Sequence, residues 1–399
     1  MNILFPKNFE IEKLVDLKVD VLFSDQVISL LSKLSAKLLA NPFAKQYPDV
    51  ITFAFYCRKA NLLKLKQNSL KDGETRLGKG ILFHIAPSNV PVNFAYSLIA
   101  GLLSGNINIV RLPTKNFDQI NIIISELQDI YNSNESKDVL NRIVLVKYER
   151  GGQETKYLSS IANMRVIWGG DDTIADIRKS QLLPRSTEIT FADRYSICII
   201  DAEKYLIEAN YPKVANDFYN DTMLMDQNAC TSPHLVIWKG DNISVNKAKD
   251  LFWSELHKIV KQKYDLQPIM AVDKLNSLYT QAVSYGDINK LESEDNLIWR
   301  IEINELNNVI DKFRCHSGYF AEYTTEDINE LSSIVNEKYQ TLAYYGLTNE
   351  EIYGLIIDHR LKGIDRIVPV GKTLDFSLVW DGYDLINIMT RKIEINTIT

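Results

Sequence analysis

From Gly80 onward the chain alternates short apolar runs with amphipathic stretches. ILFHIA, INIVRL, RIVLV, MRVIW and SICII are rich in Ile and Val, the pattern of strands buried on both faces. Between them, Val92–Leu103, Asn116–Tyr131 and Asp171–Lys179 predict helices, so the segment reads as parallel βαβ units. The first eighty residues look mainly helical. Ser24 is placed to cap a helix in which Val27, Leu30, Leu31, Leu34 and Leu38 recur at helical spacing. A helix over Tyr211–Met225 leads to the strand HLVIW. A second alternating region then runs to about Tyr344, with a long helix around Asn246–Tyr264. Thr324 with Asp327, and Thr348 with Glu351, have capping-box spacing. The tail segments RIVPVG and FSLVWDGYDLI are apolar enough to return to a core and dock on it. No internal repeat or low-complexity tract interrupts the pattern.

Length and charge narrow the picture. A chain of 399 residues is long for one core, so two domains are expected. The net charge of −6 argues against a general binder of nucleic acid or anionic membrane. Cys57, Cys198, Cys230 and Cys315 are scattered without a CxxC pair, which fits a reducing cytoplasm better than a disulfide scaffold. The start, MNILFPKNFEIEKL, lacks the layout of a signal peptide. The longest apolar run, Val92 to Val110, is broken by Asn93, Ser104, Gly105, Asn106 and Asn108. It predicts a buried helix and strand rather than a membrane span.

Two positions carry candidate chemistry. Cys230, in DQNACTSPHLVIW, sits on a turn entering a strand, where a thiol can be exposed and aimed. A cysteine is already a few per cent ionised near neutrality. Asn89, in HIAPSNVP, lies at the carboxyl end of a parallel strand, where ligands bind in open α/β sheets. Its amide can donate to a developing oxyanion; taken alone, a turn and cap residue before the helix explains it as well. Other groups have plainer explanations. His234 lies four residues past Cys230, but no further ligands cluster there and no metal is expected. His84 reads as a packing residue behind Asn89. Cys315 and His316 are adjacent and cannot readily face one metal. Asp171–Asp172 and Glu350–Glu351 sit at helix starts. Trp238, Trp299 and Trp380 read as core, one of them a candidate for lining an acyl tunnel. Lys258 to Lys263 is the wet face of a helix.

Taken in order, HIAPSNVP, RLPTK, VIWGG, DQNACTSP, YQTLAYYG and DRIVPVG…WDGYDL resemble the acyl-CoA reductase branch of the aldehyde dehydrogenase superfamily. This branch comprises the LuxC-like long-chain fatty acyl reductases of bacterial bioluminescence systems and their relatives. The resemblance runs from about Ile81 to Arg391. It implies an aldehyde-dehydrogenase-like α/β protein: a Rossmann-type parallel-sheet cofactor domain and a second α/β catalytic domain. The expected boundaries are 1–200 with a return at 346–399 for the cofactor domain, and 201–345 for the catalytic domain. The resemblance puts Cys230 in the place of the nucleophile and Asn89 in that of the oxyanion-stabilising amide. Arg111, Pro113, Thr114 and Lys115 take the place of the loop that holds the cofactor's adenosine ribose. Gly169 and Gly170 stand near the pyrophosphate, where close backbone approach favours glycine.

The departures bear on cofactor and reaction. Lys115 stands where many superfamily members carry an acid that chelates ribose hydroxyls. Lysine beside Arg111 suits a 2′-phosphate, so NADPH is expected over NADH; solvated loop charges are the plainer alternative. Asp171 and Asp172 follow Gly170 where a serine and a second glycine are usual, and there is no GxGxxG. The glutamate that hydrolytic relatives use to activate water has no clear counterpart. Glu188 is a loose match and reads better as structural. A reductive enzyme must protect its thioacyl intermediate from water, so the expected reaction is reduction of an acyl-CoA or carrier-bound acyl thioester to the aldehyde. The alternatives are an oxidative aldehyde dehydrogenase, an acyl-phosphate reductase, and a silent acyl-binding scaffold. The donor is coenzyme A, an acyl carrier protein or an acyl-protein synthetase partner, as resembling systems use. A homo-oligomer is expected by analogy.

Overall fold

The apolar runs form two sheets. The computed structural model describes residues 1–7, 9–70 and 74–396. Contacts divide the chain into one unit of Met1–Ala192 with Phe376–Thr399 and another of Asp193–Asp375. In the first unit lie β1 (Asn2–Phe5), β2 (Thr75–Gly78), β3 (Ile81–Ile85), β4 (Ile107–Arg111), β5 (Ile143–Lys147), β6 (Met164–Trp168) and β7 (Thr187–Phe191). The main sheet runs β1-β5-β4-β3-β6-β7. All its pairings are parallel except β1 on β5. Every residue of β3, β4 and β6 is buried, which explains continuous apolar runs in place of alternation. Chain order reverses at β3, so the carboxyl ends of β3 and β6 flank the switch point of the sheet, where doubly wound folds take ligands.

The amino-terminal region is helical over Asp25–Ala40, Pro48–Tyr56 and Lys59–Ser69. The Ser24 hydroxyl accepts from the Val27 N–H, and Val27, Leu30, Leu31, Leu34 and Leu38 are buried as their spacing predicts. The expectation of a mainly helical start misses β1 and β2. Both are four residues long and form by pairing with distant segments: β1 with β5, β2 with Thr390–Ile393. A pattern read locally does not see such partners. The tail docks as expected: Trp380, Leu385, Ile386 and Met389 join the core of this unit.

One glycine sets a close approach here. On the helix Asn93–Leu103, a Cβ at Gly101 would lie 1.9 Å from Asn108 Oδ1 and 3.1 Å from His84 Nε2. Glycine is what lets this helix rest on β3 and β4.

The second unit holds β8 (Tyr195–Asp201), β9 (Pro233–Lys239), β10 (Ile288–Lys290), β11 (Trp299–Ile303), β12 (Tyr319–Thr325), β13 (Tyr339–Tyr345) and β14 (Arg366–Pro369). The order is β10-β11-β12-β9-β8-β13-β14, parallel except at β10. β8 and β14 both pair within this sheet, so the units meet in sequence at 192/193 and 375/376, not at 200/201 and 345/346. Both neighbours of β8 carry an extra residue near its start. On β9 the pairing steps from Ser196–Pro233 to Ile197–Leu235, leaving His234 over. On β13 it steps from Tyr339–Tyr195 to Leu342–Ile197. Bulges re-aim side chains and are common next to active sites. The Thr348–Glu351 capping box is present with both reciprocal bonds. Thr324 caps nothing: it lies within β12, and Asp327 itself accepts from the Asn329 N–H at the next helical turn. The strand outcompetes the cap because Thr324 pairs with Trp238 on β9. Among the described residues no helix is long and apolar enough to cross a membrane.

Candidate active site

In the first unit a cavity of about 330 Å³ opens at the switch point. It is lined by the turn after β3 (Pro87, Ser88, Asn89), by Arg111, Pro113 and Thr114 after β4, by Arg150 after β5, and by Trp168, Gly169, Gly170 and Thr173 after β6. Four strand ends supply one cleft, so residues far apart in sequence meet as the βαβ pattern requires. A smaller cavity of about 180 Å³ adjoins it. The two share Arg111, Arg150 and Thr173, and the second adds Gly151, Gly152, Lys179 and Ser180 among others.

Arg111 ends β4 and is buried. Its Nη2 donates to the Tyr148 carbonyl at 3.4 Å, and its guanidinium carbon sits 4.8 Å from the Tyr148 ring centroid. Its Nε is buried without a hydrogen-bond partner. Burial pulls its pKa down, and the like charge of Arg150 adds to that while Tyr148 and Glu149 oppose it. Among the described residues Arg150 has no carboxylate within ion-pair distance. Two cations facing one cavity favour an anion between them. A Cβ at Gly170 would meet no atom within 4 Å, so the backbone there is open to the cleft at the start of the helix Asp171–Arg178. A dinucleotide phosphate fits this donor set. Asp171 and Asp172 are exposed and outside both cavity linings.

A buried chain of hydrogen bonds backs the cleft. The Asn108 amide nitrogen donates to the Asn106 carbonyl at 2.9 Å, so its oxygen is the acceptor facing His84 Nε2 at 3.1 Å. That assigns the proton to Nε2, leaving Nδ1 to accept from the Ser97 hydroxyl at 2.8 Å. Ser97 in turn accepts from the Trp168 indole at 3.0 Å, and Trp168 stacks on Phe191 with centroids 3.7 Å apart. Burial holds the His84 pKa down to about 4, against a smaller opposing effect of Asn108. His84 is therefore a neutral packing group that fixes the Trp168 wall of the cleft.

The second unit holds Cys230. The helix Tyr211–Thr222 and the helical turn Met223–Met225 lead to a turn in which Asp226 and Gln227 both take positive φ, 50° and 59°. Such backbone needs outside support, and Gln227 supplies it. Its Nε2 donates to the carbonyls of Pro233 and Tyr319 at 2.9 and 3.0 Å. Its Oε1 accepts from the N–H groups of Gly318 and Tyr319 at 3.0 and 3.2 Å. The Ser196 hydroxyl donates to the Cys230 carbonyl at 2.6 Å, and Ser232 donates to the Asp221 carbonyl at 2.8 Å. Cys230 is half-buried, whereas Cys57, Cys198 and Cys315 are buried. Burial pushes the thiols of Cys57 and Cys198 up.

Asn89, Arg111, Pro113, Thr114, Gly169 and Gly170 thus line one cleft, and Cys230 sits on a braced turn of the other unit. Asn89 does not cap the following helix, whose N-cap is Val92. Lys115 is displaced from its expected place. It is exposed, outside the cavity lining, with its ammonium 5.0 Å from the Phe117 ring centroid. β4 ends at Arg111 in the wall of the cleft, and the chain beyond it is exposed at Thr114, Lys115 and Asn116. Arg150, absent from the sequence reading, takes a place in the lining; the clue was the glycine pair in ERGGQ after a strand. Sequence reasoning misses Ser196 and Gln227 as well, because their partners lie up to 145 residues away.

Glu188 is structural, held by Arg165 and Arg178 at 2.5 and 2.7 Å. His234 is buried and stacks on Tyr195, with burial pushing its pKa down to about 3, aided by Arg314. His316 contacts Ser317 at 2.9 Å. Among the described residues no three His, Cys, Asp or Glu side chains gather as metal ligands. Trp238, Trp299 and Trp380 are buried.

Comparison with known proteins adds a family and a fold. The family described as Acyl-CoA reductase (LuxC) matches residues 59–392. The long-chain acyl-protein thioester reductase of Aliivibrio fischeri is 25% identical over 303 residues, covering 73% of this chain and 58% of that protein. Its counterpart in Vibrio harveyi is 24% identical over 304 residues, covering 73% and 59%. The chain thus spans somewhat under two thirds of the length of these curated relatives. Among solved structures, aldehyde dehydrogenase 21 from Physcomitrella patens superposes with a TM-score of 0.66 at 10% identity, covering 92% of this chain and 85% of that one. Lactaldehyde dehydrogenase from Escherichia coli does so at 0.61 and 12%, with the same coverage. The fold is that of the aldehyde dehydrogenases.

Proposed function

This chain belongs to the acyl-CoA reductase (LuxC) family, and on that premise we propose that it reduces an acyl thioester to the aldehyde with NADPH, through a thioacyl intermediate on Cys230. The observation that carries the reading is the Cys230 turn: a half-buried thiol on a strained, fully braced backbone in front of β9. Strain held by a rigid surround is a mark of functional sites. The Cys230 thiolate attacks the acyl carbon, and the carrier thiol departs. Asn89 and the Cys230 backbone N–H are the donors assigned to the oxyanion. Arg111, Arg150, Thr114, Gly169 and Gly170 would hold the dinucleotide. When bound, it supplies the hydride that converts the thioacyl carbon to an aldehyde.

NADPH is preferred over NADH because two guanidiniums face the cleft, the buried one with an unpaired Nε. This replaces the argument from Lys115. The reductive direction draws support from Glu188, whose carboxylate is committed to two arginines and so is ill placed to serve as the base that an oxidative, hydrolytic enzyme needs. The acyl donor is a CoA or protein-bound thioester; the curated relatives are named for the latter. An acyl-protein synthetase partner, a homo-oligomer and a cytoplasmic setting belong to the same reading.

A panel of acyl-CoAs of varied chain length, followed by NADPH absorbance, tests it. Cys230→Ala is expected to abolish turnover, and Asn89→Ala to lower it by roughly 10²–10³-fold. Undiminished turnover in Cys230→Ala would discard the thioacyl route.

A further inference from the structure

In the second unit the helix Pro268–Tyr285 turns its apolar face outward. Its two buried residues, Lys274 and Gln281, are polar. The Lys274 ammonium donates to the carbonyls of Asn296 and Leu297 at 2.7 and 3.1 Å, and the Tyr319 hydroxyl donates to Gln281 Oε1 at 2.5 Å. Burial pushes the Lys274 pKa down to about 8, a cost that a solvated helix avoids by pointing its lysines at water. On the open side Ile269, Val272, Tyr279 and Val283 are 58, 50, 62 and 88% exposed, and Asn276 is exposed among them. Among the described residues of this helix no exposed one is Asp, Glu, Lys or Arg. Positions 269, 272, 276, 279 and 283 step by three and four residues in turn, the a/d spacing of a coiled-coil seam. At the turn angle of an α-helix they fall in a sector of about 80°, opposite Lys274 and Gln281. The polar contacts that bury one face thus hold the seam outward.

We propose that this seam is an interface between two copies of the chain: the helix Pro268–Tyr285 packs on its own counterpart across a two-fold axis beside Asn276. The proposal rests on the functional reading above only for the homo-oligomer, whose contact face it names. Symmetry, charge and area select a second copy as the occupant. A two-fold axis presents a patch to itself, and this seam is balanced about its centre, with Ile269 and Val283 each seven residues from Asn276. The Asn276 amide is both donor and acceptor, so it can bond its own copy. A single asparagine at such a position is a known way to fix register. The net charge of −6 sets two copies against each other except where the meeting faces carry no charge, and a partner recognised by ion pairs finds none to make on this stripe. The exposed fractions leave on the order of 500 Å² of mostly apolar surface on each copy. That matches the apolar part of a standard interface, which buries about 800 Å² per partner and is rather more than half non-polar.

Sedimentation velocity of the full chain, over a concentration series and without substrate, tests the interface. The parent is expected to form a dimer or a larger even assembly. Val283→Asp puts a carboxylate into the seam of both copies and should raise the dissociation constant of this contact by about a hundredfold or more. Ile207→Asp, at a site 79% exposed on the helix Ala202–Glu208 of the same unit, should leave it unchanged. Asn276→Leu removes the polar centre of the seam and should keep or tighten the assembly. All three sites are exposed, so each variant is expected to fold as the parent does, checked by circular dichroism. A parent that stays monomeric throughout overturns the interface and the homo-oligomer together. A parent whose assembly survives Val283→Asp undiminished, or is lost equally with Ile207→Asp, overturns the interface alone. Neither result bears on acyl transfer to Cys230, which the activity of Cys230→Ala reads separately.

Discussion

Gln227 shows how one side chain can hold a reactive turn. Its amide makes four hydrogen bonds to main-chain groups of Pro233 at the start of β9 and of Gly318 and Tyr319 at the start of β12, and it is buried. Replacement by alanine would strand buried donors and acceptors, each costing about 1–3 kcal/mol. Gln227→Ala is therefore expected to destabilise this unit by roughly 3 kcal/mol or more, measured by denaturant unfolding. Loss of under 0.5 kcal/mol would mean that the turn is braced by something else. His84 gives a prediction in pH. Unfolded, it takes a proton near 6.5; folded, it resists until about 4. Between those values the unfolded state binds more protons, so the stability of the first unit is full above pH 6.5 and falls as pH drops toward 4, by roughly 3 kcal/mol. His84→Gln should flatten that slope in unfolding free energy; an unchanged slope would place the acid sensitivity elsewhere. Cys230 and Asn89 stand out in the sequence through their motifs and the resemblance those motifs carry; asparagine at a turn has plain uses of its own. Gln227 and Ser196 do not stand out, because their importance lies in partners that only the fold supplies.

Elements were legible wherever local pattern and tertiary context agree. β3, β4, β5, β6 and β9 fall on the apolar runs that predict them, since strands buried on both faces need apolar side chains at most positions. β1 and β2 escaped because they are four residues each and owe their conformation to β5 and to Thr390–Ile393. The bulge at His234 also escaped, since register depends on the neighbouring strand. The turn after β6 yields a test at this scale. Gly170 has φ −66° and ψ 165°, backbone that any residue adopts, and open space where a Cβ would go. Gly170→Leu is expected to leave stability within about 0.5 kcal/mol yet weaken NADPH binding at least tenfold, read by nucleotide fluorescence titration. Unchanged affinity would put the dinucleotide outside this cleft.

For the whole molecule, length predicted two units and the alternation of runs predicted two α/β sheets, and both are present. The boundaries shifted because β8 and β14 join the second sheet by hydrogen bonds that composition does not announce. The chemistry is divided in the same way. One unit carries a basic, glycine-lined cleft, and the other carries the thiol with its brace. Acyl transfer to that thiol is the central step of the proposed reaction. The most direct measurement incubates the full chain with a long-chain acyl-CoA without reductant and locates the acyl mass by peptide mass spectrometry. The predicted result is one acyl group on the Cys230 peptide, discharged as aldehyde when NADPH is added. Aldehyde formation with Cys230 never acylated, or an acyl group carried on another residue, would contradict it.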